Sequence, residues 1–272
     1  MRAVGDLQIA VVNDGFLGLT NRMLFHDAPD ELIDPFTDKH ANGTIRFPMS
    51  SVVIRDGNRT LLVDTGLATR STIRMSGGGA LLDGLQKLNV TPESVTDVVL
   101  THAHGDHIGW NTVPGAETPK LTFPNARYWL HERDWAHFTG SEVVDTSPLY
   151  RECLLPLKSL GALELFTTDT DITASVRMQL APGQSPGHCC VLLSSGTDSA
   201  LVLGDITHHP IDFLHPEWNC QFDVDFGLTR HTRRKILDQA ATDSILLISY
   251  HHPQPYGRAI HHDGAFRWVD EE

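Results

Sequence analysis

No stretch of this chain carries a block of positive charge. Its 34 acidic residues outnumber 21 basic ones, a formal net charge of −13 with histidine neutral. A nucleic-acid backbone needs clustered Lys and Arg to neutralise it, so no nucleic-acid partner is expected. Long apolar runs are missing too. None reaches the roughly 18 residues of a membrane span, and Met1-Arg2-Ala3-Val4-Gly5-Asp6 lacks the apolar core of a secretory leader. Cysteine is scarce: Cys153, Cys189, Cys190 and Cys220 show no CxxC spacing. That argues against a thiolate zinc site and against a disulfide framework, and the adjacent Cys189 and Cys190 read as small buried thiols. Together these absences favour a cytoplasmic chain with no membrane partner. No repeat of roughly 20–50 residues appears, which excludes a solenoid.

What is present is ordinary in bulk and unusual in one place. Hydrophobic residues at 40% and charged residues at 20% of 272 suit a globular protein with ample length for a core. The 16 histidines are not evenly spread. In Thr101-His102-Ala103-His104-Gly105-Asp106-His107-Ile108-Gly109-Trp110, three imidazoles and a carboxylate fall within six positions. The apolar, β-branched Val98-Val99-Leu100 before it reads as a buried strand. The cluster therefore occupies the loop leaving the C-terminal end of a strand, where open α/β folds place ligands. The spacing is not that of a helical HExxH site. Here His102 and His104 can converge on one point while Asp106 and His107 turn towards another, with Gly105 and Gly109 easing the turn. The pattern reads as a metal site.

Along the chain, Leu7 to Val12 reads as a first strand closed by a turn at Asn13-Asp14-Gly15. Residues 16 to 45 read as irregular, and their apolar groups Phe16, Leu17, Leu19, Met23, Leu24 and Phe25 either wall a substrate pocket or pack as a surface arm on their own domain or across a dimer. Strands are expected at Phe47 to Ile54, Thr60 to Val63, Arg127 to Leu130, Val176 to Leu180, Cys189 to Leu193, Leu201 to Leu203, Ile245 to Ser249 and Phe266 to Val269. Helices are expected after Gly77-Gly78-Gly79, from His131 to Trp135, and over Thr229 to Ala241. Residues 140 to 160 read as a helical insertion with Leu149, Cys153, Leu154 and Leu157 on one face. The expectation is one domain over residues 1–272, with an arm at about 14–46 and the insertion at about 140–160. Its architecture is α/β (α+β), a four-layer αβ/βα sandwich with the site at the shared sheet ends. Outside the cluster, His131 and His137 read as surface or packing residues, and His209, His215, His231, His261 and His262 as surface residues.

His102-Ala103-His104-Gly105-Asp106-His107 resembles the HxHxDH signature of the metallo-β-lactamase superfamily. Four more stretches resemble that family's other landmarks, in order: Leu61-Leu62-Val63-Asp64-Thr65-Gly66, Ala181-Pro182-Gly183-Gln184-Ser185-Pro186-Gly187-His188, Leu201-Val202-Leu203-Gly204-Asp205, and Ile245-Leu246-Leu247-Ile248-Ser249-Tyr250-His251. The resemblance implies that His102, His104 and His188 hold one metal, that Asp106, His107 and His251 hold a second, and that Asp205 bridges them. Two Zn²⁺ suit such imidazole and carboxylate ligands, with Fe, Mn and Co as other candidates. Asp64 would orient a ligand through a hydrogen bond, and Asp106 would pass a proton to the leaving group. His251 and His252 are adjacent. The pattern His251-His252-Pro253-Gln254-Pro255 resembles a His-x-Pro-x-Pro ending that selects His251 as ligand and leaves His252 to line the pocket.

Finer features point within the family. Gly204-Asp205-Ile206-Thr207-His208 puts a His where acylhomoserine lactone lactonases usually carry Tyr. It resembles the methyl parathion hydrolase branch and its lactonase and arylesterase relatives, as does Trp218-Asn219-Cys220-Gln221-Phe222-Asp223-Val224-Asp225. His208 and Phe25 are accordingly expected, with His252, to contact substrate. The resemblance implies a dinuclear metal-dependent hydrolase acting on a lactone or activated ester, with promiscuous phosphotriesterase activity. A glyoxalase-II-like thioester hydrolase and an iron oxygenase of the persulfide-dioxygenase type are the alternatives. By analogy, the arm or the insertion is a candidate homodimer contact.

Overall fold

The computed structural model describes residues 1–34, 39, 43–70 and 77–272. Two seven-stranded sheets lie face to face. The first takes β1 (Arg2–Val4), β2 (Leu7–Leu19), β3 (Ile45–Asp56), β4 (Arg59–Val63), β5 (Asp97–Val99), β6 (Arg127–His131) and β7 (Leu163–Phe166) in chain order. The second takes β8 (Thr170–Asp171), β9 (Val176–Leu180), β10 (Cys189–Ser195), β11 (Asp198–Val202), β12 (Leu246–Ile248), β13 (Tyr256–His262) and β14 (Ala265–Asp270), also in order. The first half of the chain thus builds one sheet and the second half the other. β4, β5, β6 and β7 run parallel, so their C-terminal ends gather at one edge of the sandwich.

Why these runs are strands follows from which face each residue buries. Val52, Ile54, Leu61, Val63 and Val99 meet Val176, Met178, Val191, Val202 and Ile248 between the sheets. The alternate residues Val53, Leu62, Val98 and Leu100 pack outward against helices. Both faces are covered, so the strands read as continuous apolar runs instead of alternating ones. The outer helices of the first sheet include α3 (Leu81–Lys87), α5 (Glu132–Phe138), α7 (Pro148–Cys153) and α8 (Leu155–Ser159). With α6 (Ser141–Thr146), the last two make up the helical insertion. The second sheet is covered by α9 (Ile211–Leu214) and α10 (Phe226–Thr242), through Phe213, Leu237 and Ala240 against Leu201, Leu247 and Phe266. The layers are αβ/βα, as expected from the order of strands and helices.

Three local expectations differ. Asn13-Asp14-Gly15 does not end β2; it is a bulge in a strand that continues to Leu19. The extra residue turns the Asp14 carboxylate inward, where it accepts from the amides of Leu67, Ala68, Gly79 and Leu81 and from Trp110 Nε1. A bulge re-aims a side chain at the cost of one ladder position. The arm carries regular structure in α1 (Asn21–Leu24) and α2 (Asp30–Ile33), and Leu17, Leu24, Phe25 and Ile33 pack on Phe47, Met49 and Trp218 of the same chain. The parts of the arm at 35–38 and 40–42 lie outside the described residues. Strands β1, β7, β8 and β13 were not expected; in β7 and β13, exposed positions such as Leu165 and Ile260 break the apolar run that marks a buried strand. All four cysteines are free and buried.

Candidate metal centre

The HxHxDH loop leaves β5 between its two parallel neighbours. On the β4 side, Asp64 follows the strand with φ +59° and is fully buried. It accepts from Thr101 N at 2.7 Å and Thr101 Oγ1 at 2.6 Å, and pairs with His107 Nδ1 at 2.8 Å. His107 is thereby fixed with Nε2 facing inward. His104 stands at the N-cap of a one-turn helix, α4 (Gly105–Ile108), which carries Asp106 and His107 and brings the His107 ring to 4.0 Å from that of His102. The second sheet supplies the rest from the ends of β11 and β12: Asp205 in a short turn at Gly204–Ile206, and His251 just past Tyr250.

Asp205 faces two sets of donors with its two oxygens. Oδ1 lies 3.0 Å from His251 Nε2 and 3.2 Å from His107 Nε2. Oδ2 lies 3.6 Å from His102 Nε2 and 3.4 Å from His208 Nε2. Asp106 Oδ1 is 3.8 Å from His107 Nε2. Among the described residues, His102, His104 and Asp205 form one group with ligand atoms within 4.8 Å of each other, Asp106, His107 and His251 another, and Asp64, His102 and His107 a third. Two nitrogens on one tetrahedral zinc at about 2.0–2.1 Å stand about 3.3–3.4 Å apart; His102 Nε2 and His104 Nδ1 are 3.2 Å apart. His107 Nε2 is buried and, although 3.2 Å from Asp205 Oδ1, has no aligned hydrogen-bond partner among the described residues. A cation therefore fits this donor set. His188 stands at its margin. Its Nδ1 donates to Ala181 O at 3.1 Å and its Nε2 accepts from Asp205 N at 3.0 Å. Gly204, at φ +56°, is required there, since a Cβ would sit 2.5 Å from His188 Nε2.

Charge is distributed unequally across the cluster. Burial pushes His104 and His188 down to about 4 and His102 well below the usual imidazole value. Burial opposes charge on His107 as well, but Asp205, Asp106 and Asp64 outweigh it and hold its pKa well above normal. Asp205 would be raised by burial, yet His107, His251 and His102 keep it well below the usual carboxylate value. Neutral imidazoles on one side and a carboxylate-held imidazolium on the other surround one ionised carboxylate.

The family model of the metallo-beta-lactamase superfamily matches residues 45–246, a span that takes in every donor named above except His251. The chain belongs to the metallo-beta-lactamase superfamily. Two curated proteins of Bacillus subtilis (strain 168) are similar to it. The uncharacterized protein YobT is 27% identical over 165 residues, covering 58% of this chain, and the chain spans 62% of its length. The probable metallo-hydrolase YybB is 27% identical over 186 residues, covering 67% of this chain and 72% of YybB. Among solved structures, AidC, a dizinc quorum-quenching lactonase in complex with a product, superposes with TM-score 0.82 at 24% identity, covering 100% of this chain and 96% of AidC.

Above the donors this superfamily member opens a cleft of about 1200 Å³. The arm and β3 give it an apolar wall of Leu17, Leu19, Met23 and Phe47, joined by Phe222. The insertion supplies the opposite wall through Ser147, Leu149, Tyr150 and Glu152. Arg70 also lines the cleft and ties its rim, pairing with Glu152 at 2.5 Å and bonding Gly109 O and Thr112 O. His104, Asp106, Asp205 and His208 form the floor.

Two residues expected at the substrate lie elsewhere. Phe25 is fully buried, its ring edge-on to Trp218 and His209 inside the arm's own core. His252 turns away from the cleft to Thr207 Oγ1, Phe213 and Trp268, because successive side chains leaving β12 point in opposite directions. His209, expected at the surface, is buried, its Nδ1 accepting from Ile211 N. His131 caps α5 by accepting from Arg133 N. Two contributors carried no signal of their own. Gln184, buried in the His188 loop, donates from Nε2 to His104 Nδ1 at 2.7 Å and to Asp205 Oδ2 at 3.3 Å, leaving Oε1 without a partner. Asp134 in α5 is equally buried, and burial lifts it to about 6. A Gln within a loop motif and an Asp in a helical first turn have ordinary local explanations, so only the tertiary contacts identify them.

Proposed function

We propose that this chain is a dinuclear metal-dependent hydrolase of lactones or activated esters. The observation that carries the reading is Asp205, which offers one oxygen to His102 and the other to His107 and His251 at the floor of an apolar-walled cleft. His102, His104 and His188 with Asp205 would hold one cation, and Asp106, His107 and His251 with Asp205 the other. His188 offers the Nε2 lone pair that accepts the Asp205 amide. Zn²⁺ suits these ligands best. Bound there, the two cations supply Lewis acidity and a water acidic enough to attack an ester carbonyl at neutral pH.

The chain's own groups do the rest. Leu19, Met23, Phe47 and Phe222 exclude water and bind the apolar part of the substrate. Asp64 fixes the His107 ring through Nδ1, which leaves Nε2 as a donor atom. His208, which lines the cleft with Nε2 3.4 Å from Asp205 Oδ2, would hydrogen-bond the substrate carbonyl. Asp106 opens to the cleft and is placed to deliver a proton to the leaving alkoxide. The lactonase AidC shares the fold, which makes a lactone the first substrate to try.

The test is a hydrolysis screen on purified, metal-analysed protein with an acylhomoserine lactone, an aryl ester, an organophosphate triester and a glutathione thioester, each with and without chelator. A chelator-sensitive preference for lactone or aryl ester supports the reading. Equal lactone turnover by metal-stripped protein contradicts it, and one iron per chain with oxygen consumption replaces it with an oxygenase.

A further inference from the structure

The loop that carries His102 and His104 is held from both sides by buried carboxylates, one from each strand parallel to β5. Asp64, after β4, grips Thr101 and His107. Asp134, after β6, hydrogen-bonds backbone amides and a hydroxyl and, among the described residues, no imidazole. It accepts from Ala103 N at 3.1 Å, between the two histidines, and reaches across to the second sheet. There it accepts from Ser185 Oγ at 2.8 Å and from Gly187 N at 2.5 Å, the residue before His188. One carboxylate therefore fastens together the two loops that present His102, His104 and His188. The closeness is built in. A Cβ on Gly187 would lie 2.7 Å from Asp134 N and 2.9 Å from its Oδ1, so the His188 loop can seat on α5 only with glycine there. His131 already caps α5 through its own ring, which frees the Asp134 side chain from helix capping.

We propose that Asp134 is a positioning residue for the cation held by His102, His104 and His188, the counterpart of Asp64 on the His107 side. The inference rests on the two-cation reading above. Without Asp134, the amides of Ala103 and Gly187 and the Ser185 hydroxyl lose a shared acceptor in a place water cannot reach. The two loops then separate, and the distance between His188 and the His102–His104 pair is no longer set. Asp64 keeps its hold on His107, so the second donor set is spared.

The test is a Zn²⁺ titration of the full chain, stripped of metal, against a chromophoric chelator, for wild type, Asp134→Asn, Asp64→Asn, Ser185→Ala and His188→Ala. Two binding steps are expected in the wild type. Asp134→Asn should weaken one of them by about 10–100-fold, the range for partners that orient ligands, and leave the other within twofold. His188→Ala should weaken that same step, so the Asp134→Asn/His188→Ala double variant should add little to either single one, whereas Asp64→Asn should weaken the other step. Ser185→Ala, which removes one of the bonds, should weaken the Asp134 step a few-fold, and it carries the test if Asp134→Asn fails to show the wild-type circular dichroism spectrum. Two wild-type steps with both Asp134→Asn and Ser185→Ala unchanged, or both steps weakened equally by a folded Asp134→Asn, overturn this inference alone. A wild type that binds no cation overturns the two-cation reading and this inference with it.

Discussion

The two sides of the candidate metal centre are built on opposite electrostatic plans. On the Asp134 side, burial strips charge from His102, His104 and His188, and the nearest anchoring carboxylate bonds to backbone amides and a hydroxyl. On the Asp64 side, three carboxylates surround His107 and hold a proton on it. The first side has no proton to lose and exchanges only the hydrogen bonds that His104 and His188 accept, whereas the second must lose a proton first. Position decides this difference, not residue type: His102 and His107 are five residues apart in one loop, and α4 turns the second towards Asp64, Asp106 and Asp205.

The contrast breaks most completely at the residue shared by both sides. Asp205→Asn replaces one of the two oxygens with an amide nitrogen and takes the negative charge from both donor sets, and kcat/KM for the preferred ester or lactone should fall on the order of 10³-fold, as expected from several kcal/mol of lost metal chemistry. Steady-state kinetics at saturating Zn²⁺ check this; a loss under tenfold would mean that Asp205 is not shared. Next comes Asp64→Asn, which should weaken the His107 step by about 10–100-fold and the His188-dependent step by less, because Asp64 reaches His102 only through Thr101 Oγ1. Equal weakening of both steps would erase the distinction between the sides.

The pH dependence of the chelator-treated chain sharpens the same comparison. His104 and His188 titrate at about 4 in the fold against about 6.5 in an unfolded chain. Between those values the unfolded chain binds more protons, so stability rises with pH across that window and is lost as pH falls through it. His107 runs the other way. Its raised pKa gives stability that is full below the unfolded value and is lost as pH climbs through the folded one. Thermal unfolding in chelator from pH 4 to 9 should show His188→Gln flattening the acid limb and His107→Gln flattening the alkaline limb. Cation uptake should release about one proton at the His107 step and almost none at the other, as read by calorimetry in two buffers of different ionisation enthalpy. The smallest effect is expected from Gln184→Met. It removes the hydrogen bonds that occupy His104 Nδ1 and Asp205 Oδ2 in the cation-free chain, worth about 0.5–1.5 kcal/mol each, and should strengthen the His188-dependent step by about tenfold at most.

Much of the fold was legible because buried parallel strands leave an unbroken apolar run with a chemically marked residue at the end. Leu61-Leu62-Val63 leads to Asp64, and Val98-Val99-Leu100 leads through Thr101 to His102. Half-exposed strands carry no such mark. In β7, Leu163 and Leu165 are not fully buried, and in β13, Arg258 and Ile260 face outward, so alternation dilutes the pattern. Within the site, the residue types that bind metals announce themselves, whereas direction does not. His252 reads like its neighbour His251 until the end of β12 sends their side chains apart. Phe25 reads like a cleft residue until α1 turns it into the arm's core. Asp134 and Gln184 act through loops distant in sequence, at Ala103 and at Asp205, so no local pattern could contain them.

The central claim is that one carboxylate, Asp205, serves two cations. Metal content of wild type and Asp205→Asn, measured after saturation with Zn²⁺ and removal of the free ion, tests it most directly. Two equivalents per wild-type chain and at most one in the variant are predicted. A single equivalent in both chains would contradict the account.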